Sequence, residues 1–305
     1  MLLPIGVLVG AALAFAAPGA FLWLRPVLQP AFAVTMLCVG TLVEPGQLRA
    51  FLAAPLRPLA GLVAQYTIMP LTAAAVAAGF DDPLTRTGIV LVGCMPGAMA
   101  SNVMTVLLRG DLVLSVTMTT LATLACPAVL ALWLPLLADT RMEVPVAAMV
   151  WNAAWMVVGP VAAGIAFRIL GPALPRRWNG IATGIASGAI VVIILVVVAA
   201  NRDRLAALSG PLAGAMLALN LAAYALAFAA AALLRWPPAQ RRTLVIEVGM
   251  QNAGLGSVLA LAHLGEAGAV PSAFYTGLCV ATASLALAPG VRSRLLPFRE
   301  APRRP

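Results

Sequence analysis

An acidic residue, Glu247, lies within an apolar run of helical length, 244–264, and is followed closely by Gln251 and Asn252. A carboxylate at that depth is costly, so it normally faces a bundle interior or a water-filled cavity on an ion or substrate path. A second polar island, PGAMASN at Pro96–Asn102, interrupts an apolar run in the first half of the chain. One glycine-broken hydrophobic segment in each half is typical of the binding site of a secondary transporter.

The other polar side chains of these apolar runs fall into one layer. Counted at about 1.5 Å per helical residue from the nearest arginine, Gln65, Ser101 and Glu247 each lie roughly 8–12 Å inside the apolar region. Ser115 and Thr119 reach a similar depth and, at i,i+4 spacing, share one helix face. Hydroxyl, amide and carboxylate oxygens suit a hard cation, and a single carboxylate favours a monovalent ion over Ca²⁺. A purely structural role, in which such residues only join helices, remains the alternative.

The breaks themselves predict two further contributions to a site. Unwound backbone at a break exposes carbonyl oxygens that coordinate sodium in other transporters. Half-helices that begin at the breaks direct the positive ends of their dipoles into the cavity, which suits an anionic substrate.

Composition identifies a membrane protein. Apolar residues make up 62% of the chain, charged residues make up 10%, and the mean hydropathy is +1.01, whereas soluble domains carry about 25% charged residues. All 19 basic residues are arginines, and they occur singly or in pairs between apolar runs. The formal charge of +9 therefore indicates membrane topology rather than nucleic-acid binding.

A spanning helix needs about twenty mostly apolar residues. The ten candidate spans are 4–22, 28–44, 56–79, 85–108, 111–137, 144–169, 178–200, 208–234, 240–264 and 270–289. With both termini in the cytoplasm, only Arg25, Arg86, Arg141, Arg202 and Arg204 fall outside, as the positive-inside rule requires.

Ten spans divide into two five-helix halves of opposite orientation, an inverted repeat. We predict a first repeat at 1–138, an inverted second repeat at 143–290 and a basic cytoplasmic tail at 291–305. The two polar islands then fall on the fourth and ninth helices, with Asn102 and Asn252 about one repeat apart. The predicted fold is an all-α polytopic membrane protein of ten transmembrane helices.

Other features have ordinary interpretations. The cysteines lie in apolar runs and are predicted to be buried thiols, since they have neither CxxC spacing nor a histidine partner. The only histidine, His263, is predicted to be interfacial, and loop-edge acids such as Asp139 and Glu266 are predicted to be solvated. The double GxxxG of Gly180, Gly184 and Gly188 predicts close helix packing within the fold.

At these residues the chain resembles the bile acid:sodium symporter family, and in particular its ten-helix bacterial members. The matching strings are GCMPGAMASNVMTVLLRGDLVLSVTMTT at Gly93–Thr120 and EVGMQNAGL at Glu247–Leu255. QYTIMP at Gln65–Pro70 and TLVEPGQL at Thr41–Leu48 agree more loosely. The resemblance implies a panel of helices 1, 2, 6 and 7 that rocks against a core of helices 3–5 and 8–10, in which the broken helices 4 and 9 cross.

The resemblance also implies two sodium sites and no other cofactor. The first site would use Ser101, Asn102, Ser115, Thr119 and Glu247. The second would use Gln65, Glu247, Val248, Met250 and Gln251, with Val248 and Met250 contributing backbone carbonyls.

The substrate region departs from the family pattern. Members similar to bile-acid carriers read PGGTASN where this chain reads PGAMASN, and they carry Trp-His-Asn where this chain has Leu278, Cys279 and Val280. These changes remove polar contacts, so a smaller organic anion is as good a candidate as a bile acid. The predicted substrate-binding residues are Ala98, Met99, Ala100, Asn252, Cys279 and Val280.

We therefore predict a sodium-coupled symporter of an organic anion, bile-acid-like or a smaller carboxylate, that works by alternating access in the cell (inner) membrane. The partners are a small anionic substrate, sodium and the lipid bilayer, with no nucleic acid, and the oligomeric state does not follow from the sequence. The alternatives are a proton-coupled or efflux carrier with Glu247 as the proton carrier, and a channel or sensor. An intramembrane enzyme is disfavoured because there is one peripheral histidine and no HExxH or GxSxG motif.

Overall fold

The protein is helical throughout the part that the computed structural model describes, residues 2–139, 141, 143–171, 177–206 and 210–286. The α-helices of these residues are α1 (Leu2–Ala16), α2 (Leu28–Leu42), α3 (Pro45–Ala53), α4 (Leu56–Ala77), α5 (Pro83–Cys94), α6 (Ala100–Leu107), α7 (Leu112–Leu137), α8 (Val146–Ala153), α9 (Gly159–Leu170), α10 (Trp178–Ala200), α11 (Arg202–Ala206), α12 (Gly210–Leu233), α13 (Pro238–Gly249), α14 (Ala253–His263) and α15 (Gly265–Leu285). Two 3₁₀ turns, Pro18–Ala20 and Leu22–Val27, connect α1 to α2, and a π-helical turn, Ala154–Val158, joins α8 to α9.

Seven helical stretches of these residues are long and apolar enough to cross a membrane. They are Leu22–Leu42, Leu56–Ala77, Leu112–Leu137, Val146–Leu170, Trp178–Ala200, Gly210–Leu233 and Gly265–Leu285. The other candidate spans from the sequence coincide with α1 and with two pairs of shorter helices, α5 with α6 and α13 with α14. The chain is thus a multi-pass membrane protein, and the predicted tail 291–305 lies outside the described residues.

Local sequence explains both helix pairs. Met95, which follows α5, is extended at φ −74° and ψ 152°, as expected for a residue before a proline, here Pro96. In the second pair, Met250 leaves the helical region at φ −103° and ψ 87°. Asn252 then caps α14, because its side chain accepts a hydrogen bond from the Leu255 N–H at 3.2 Å. Both polar islands therefore interrupt their apolar runs, as the sequence predicts.

The helices pack in two groups. In one group α2 packs on α9 and α10, and α1 packs on α10. In the other group α4 packs on α5, α7 and α12, while α15 packs on α5 and α14. The close approach of α2 to α9 needs glycine on both helices, since a Cβ at Gly40 would lie 2.9 Å from the Gly164 Cα.

The predicted role of the double GxxxG is wrong. A Cβ added at Gly180, Gly184 or Gly188 would meet nothing within 4 Å, and all of these glycines are exposed on α10. They face away from the described helices, and the close packing falls to Gly40 and Gly164 instead.

Two acidic residues that were predicted to be solvated form ion pairs instead. The Asp139 side chain is 3% exposed and forms ion pairs with Arg86 at 3.1 Å and Arg141 at 2.7 Å. Hydrogen bonds from Arg141 hold the pKa of Asp139 well below its usual range. Glu266 forms ion pairs with Arg25 and Arg204. By contrast, the prediction of free, buried cysteines is confirmed at Cys38, Cys94, Cys126 and Cys279.

Candidate functional site

The two helix breaks contact each other through their backbones. The Ala98 N–H donates to the Met250 carbonyl, and the Asn252 N–H donates to the Pro96 carbonyl, each at 2.7 Å. This forms an isolated antiparallel bridge between Gly97 and Gln251. The pairing satisfies backbone groups that would be costly to bury alone in a membrane protein.

Next to this crossing, Glu247 accepts hydrogen bonds from three hydroxyls. The Ser101 hydroxyl donates to Oε1 at 2.6 Å, the Thr119 hydroxyl donates to Oε2 at 2.8 Å, and the Ser115 hydroxyl donates to Oε1. The Glu247 side chain is fully buried. The Ser115 hydroxyl also lies 2.8 Å from Asn102 Oδ1, so all of the residues predicted for the first sodium site lie together.

Acceptor oxygens outnumber hydroxyl hydrogens in this cluster. The Ser101 hydroxyl is 2.6 Å from the Ala98 carbonyl as well as from Glu247, and the Thr119 hydroxyl is 2.9 Å from the Ser115 carbonyl. Each hydroxyl carries one hydrogen, so several lone pairs face one another. Among the described residues no basic side chain forms an ion pair with Glu247. A buried, negatively charged and oxygen-rich pocket of this kind fits a small cation.

Sequence reasoning missed one member of the oxygen cluster, Thr105. Its hydroxyl lies 3.2 Å from the Ser115 hydroxyl, and the residue is fully buried. Thr105 is four residues after Ser101 on α6, so the helical period already puts both on one face. That spacing is the signal that would have identified it.

Gln65, which is predicted for the second sodium site, lies close to Gly97 and Glu247. A Cβ at Gly97 would be 2.7 Å from Glu247 Oε2 and 3.8 Å from Gln65 Nε2. Within the described part of the chain, both polar atoms of the Gln65 side chain and Oε1 of Gln251 are buried without a hydrogen-bond partner. Buried polar atoms are rarely left unsatisfied. The two amide oxygens suit a cation, whereas Gln65 Nε2 is a donor and would need an acceptor.

The two predicted backbone ligands of this set are already engaged. The Val248 carbonyl accepts from Gln251 Nε2 at 2.7 Å, and the Met250 carbonyl accepts from the Ala98 N–H at 2.7 Å. A carbonyl has two lone pairs, so each retains one acceptor position. The second set is therefore less completely formed than the cluster around Glu247.

A cavity of about 730 Å³, including its part open to solvent, adjoins the crossing. The residues that line it include all of those that the sequence predicts for substrate binding: Ala98, Met99, Ala100, Asn252, Cys279 and Val280. Ala100 and Ala253 begin α6 and α14, so the first backbone N–H groups of both half-helices lie at the cavity wall. Because Asn252 Oδ1 caps α14, the Nδ2 donor is the part of this side chain that can face a ligand.

The opposite wall of the cavity was missed by sequence reasoning. It is formed by α2 and α10 through Phe32, Thr35, Met36, Ile190, Ile193 and Ile194, and α15 adds Thr276. Thr276 could have been found, because it lies one helical turn before Cys279 and Val280. The α2 and α10 residues are apolar except Thr35, so nothing distinguishes them from lipid-facing or core positions in the sequence.

Comparison with known proteins agrees with this geometry. The profile of the Sodium Bile acid symporter family matches residues 29–208. The uncharacterized sodium-dependent transporter YocS of Bacillus subtilis is 35% identical over 274 residues, which cover 89% of this chain and 85% of YocS. The human ileal sodium/bile acid cotransporter is 30% identical over 246 residues, covering 77% of this chain and 69% of that protein.

A plant protein extends the comparison. The probable sodium/metabolite cotransporter BASS1 of Arabidopsis thaliana chloroplasts is 30% identical over 265 residues, covering 86% of this chain and 66% of BASS1. The family consists of sodium-coupled transporters rather than enzymes. The oxygen cluster at the crossing, the family profile and these relatives together show that this chain belongs to the sodium bile acid symporter family.

Proposed function

We propose that this protein is a sodium-coupled symporter that carries an organic anion by alternating access. The observation that carries the proposal is the buried Glu247 carboxylate, which is surrounded by hydroxyl and amide oxygens in excess of their hydrogens. Sodium fits this environment because it is a hard cation whose single charge balances one carboxylate.

Two sodium ions would bind on either side of Gly97. The first would be held by Ser101, Asn102, Ser115, Thr119 and Glu247, with Thr105 nearby. The second would be held by Gln65, Glu247, Val248, Met250 and Gln251. The unpartnered Gln65 side chain and Gln251 Oε1 support the second site, because a cation would satisfy the oxygens that the described residues leave without a partner.

The substrate would bind in the adjoining cavity, beside the crossing rather than inside it. The N-termini of α6 and α14 supply backbone donors and the positive ends of helix dipoles, which favour a carboxylate. Ala98, Met99, Ala100, Cys279 and Val280 supply apolar contacts, and Asn252 supplies a side-chain donor. The family relatives are named for bile acids and for metabolites, and this apolar cavity supports a bile-acid-like anion or a smaller carboxylate.

The architecture we propose has ten spans. It counts α1 as one span, and it counts the pair α5 with α6 and the pair α13 with α14 as one broken span each. The first repeat would cover 1–138, the inverted second repeat would cover 143–290, and a tail would cover 291–305. Both termini would lie on the cytoplasmic side of the cell membrane. The distribution of arginines supports this orientation.

The two packing groups suggest how transport proceeds. The α1, α2, α9 and α10 group corresponds to the panel, and the group around α4, α5, α7, α12 and α15 corresponds to the core. The cavity lies between α2 and α10 on one side and the crossing on the other, so rocking of the panel would expose it to each side in turn. Sodium at the crossing would favour one geometry of the two breaks and thereby couple ion binding to anion binding.

The first test compares thermal stability of the purified protein in sodium and in potassium at equal ionic strength. A ligand that binds only the folded state raises stability by mass action, so we expect a sodium-specific rise in Tm. Glu247→Ala should abolish the rise. Glu143→Gln, which alters an exposed carboxylate away from the crossing, is the matched control and should retain it.

The same measurement addresses the proton-coupled alternative. If wild type is equally stable in sodium and potassium, but its stability depends on pH in a way that Glu247→Ala removes, Glu247 carries a proton and sodium coupling is wrong. Uptake into proteoliposomes driven by a sodium gradient then provides the functional counterpart. Uptake that persists unchanged in Glu247→Ala would contradict both versions.

A further inference from the structure

A second charged cluster lies at the end of the bundle where α14 ends and α15 begins. Glu266, in the first turn of α15, forms ion pairs with Arg25 and Arg204. Arg25 lies in the connection between α1 and α2, and Arg204 lies in α11, just after α10. The cluster therefore links the chain segments adjoining α1, α2 and α10 to α15, across the cleft that contains the substrate cavity.

These residues surround a cavity of their own, of about 520 Å³, including its open part. Its charged lining consists of Arg25, Arg202, Asp203, Arg204 and Glu266. Three arginines face two acids, so the lining carries one net positive charge. A positively charged cleft with low-dielectric walls raises the local concentration of anions and speeds their association.

The charged cavity is the outermost of three in a row. The substrate cavity shares Ile193, Ile194, Gly254 and Thr276 with a second, apolar cavity that reaches Phe15 on α1 and Leu205 on α11. The Arg202 guanidinium lies 5.7 Å from the centre of the Phe15 ring, and its Nε donates to the Phe15 carbonyl at 3.4 Å. Phe15 lines the apolar cavity and Arg202 lines the charged one, so this contact lies between the two cavities.

In the opposite direction the substrate cavity is closed by packing. Met99 packs against a cluster of Cys38, Ala182 and Ala186 on α2 and α10. The three cavities from the crossing towards Glu266 therefore lie along the boundary between the two helix groups in the described residues.

We propose that Arg25 and Arg204 form an entrance subsite that binds the carboxylate of an incoming organic anion in exchange for Glu266. This inference rests on the proposed transport of an anion. The Glu266 carboxylate occupies the position that a substrate carboxylate would take, and it holds the entrance closed when no substrate is present. Because exposed ion pairs are weak and the Glu266 side chain is 35% exposed, an external carboxylate can compete with it for the arginines.

The test uses a cysteine introduced at Leu22, which lines the charged cavity and is 39% exposed. Purified Leu22→Cys protein is treated with an anionic thiol reagent, sulfonatoethyl methanethiosulfonate, or with its cationic trimethylammonium counterpart. We expect the anionic reagent to react about tenfold faster relative to the cationic one than it does with free cysteine. Wild type, whose four cysteines are buried, gives the background.

Three variants on this background identify the groups responsible. Replacing both arginines, Arg25→Gln with Arg204→Gln, should abolish the preference for the anionic reagent. Glu266→Gln should increase both the preference and the labelling rate, because the arginines lose their internal partner. Arg49→Gln, which removes one positive charge from the exposed surface of α3, is the control and should change neither.

A carboxylate probe then tests binding directly. Cyclohexanecarboxylate, at an ionic strength matched with chloride, should slow labelling of Leu22→Cys and should lose this effect in the double arginine variant. Equal protection by chloride, or a reagent preference that the double arginine variant retains, would overturn the proposal. Size-exclusion profiles of each variant identify misfolding, and Arg25→Lys with Arg204→Lys provides a variant that keeps the charge and should keep the preference.

The outcome is separable from sodium coupling. Labelling in potassium reports the entrance alone, whereas the sodium-specific rise in Tm reports the cation site alone. Anion-selective labelling without a sodium response would leave the entrance intact and contradict the proposed symport. A sodium response without anion-selective labelling would contradict only the entrance.

Discussion

The oxygen cluster around Glu247 and the substrate cavity lie on the same crossing but differ in chemistry. The cluster is buried and polar: Ser101, Ser115 and Glu247 are fully buried, and Thr119 is 3% exposed. The cavity is larger, partly open and lined mostly by apolar side chains. In the proposed function, the first would constrain a small ion through several short contacts, whereas the second would constrain a ligand mainly through shape.

This difference explains where the chain follows its family and where it departs. Changing one oxygen of the cluster removes a coordinating group and leaves its partners unsatisfied in a buried environment. Changing one apolar residue of the cavity alters volume and shape, which hydrophobic sites tolerate better. The chain belongs to a family of sodium-dependent transporters, and we expect Met99 and the α15 residues that line the cavity to influence substrate choice.

The largest expected effect comes from Gly97, which lies next to the Glu247 carboxylate. A Cβ at Gly97 would lie 2.7 Å from Glu247 Oε2, so Gly97→Ala should displace the carboxylate and cost about 1–3 kcal/mol of stability. We expect the sodium-specific rise in Tm to be lost as well. Gly214→Ala, where the added Cβ meets nothing within 4 Å, should retain the sodium response. A normal response in Gly97→Ala would contradict the geometry of the crossing.

Ser115→Ala tests the oxygen cluster while leaving the cavity unchanged. Ser115 contacts Asn102, Thr105 and Glu247, and losing a hydroxyl beside a charged group should lower sodium affinity by roughly tenfold to a hundredfold. The measurement is a sodium titration of Tm. Thr117→Ala, on the same helix with its hydroxyl bonded only to the Val113 carbonyl of its own turn, should titrate like wild type.

Asn252→Ala tests the boundary between the two regions. The variant loses the N-cap of α14, which should cost about 1 kcal/mol, and it also loses the proposed donor to the substrate carboxylate. Asp82→Ala removes the N-cap of α5 and should cost a similar amount of stability. Stabilisation by an organic carboxylate in the presence of sodium should fall only in Asn252→Ala. An equal fall in both variants would mean that Asn252 acts only as a helix cap and does not bind the carboxylate.

Met99→Thr should have the smallest effect on stability and leave the sodium response unchanged. Met99 lines the cavity and packs against the Cys38, Ala182 and Ala186 cluster, so a shorter side chain enlarges the substrate space. We expect stabilisation by a bile acid to increase relative to a short branched carboxylate. Val103→Thr, on the outward face of α6 and 42% exposed, should leave this ratio unchanged. A changed sodium response in Met99→Thr would mean that the two regions are not separable.

Much of the candidate site was predictable because polar residues are rare in apolar helices. Glu247, Ser101 and Gln65 stand out within their runs. The hydrogen bonds from Ser101, Ser115 and Thr119 to Glu247 bring α6, α7 and α13 together, as the predicted cluster requires. Thr105 was missed, although its four-residue spacing from Ser101 places both residues on one face of α6. The ion pairs of Glu266 and Asp139 could not be predicted, because an acid at a loop edge looks the same in the sequence whether it is solvated or ion-paired.

The sequence by itself determined that the chain is a polytopic membrane protein, where two of its helices break, and which oxygens are available to bind a cation. These follow from local rules, since hydropathy, proline and capping residues act over a few neighbours. Only the tertiary structure decided that Gly97 pairs with Gln251, that α2 and α10 form the second wall of the cavity, and that Arg25 and Arg204 meet Glu266. These contacts join residues far apart in the chain, so they depend on how the helices pack rather than on any local pattern.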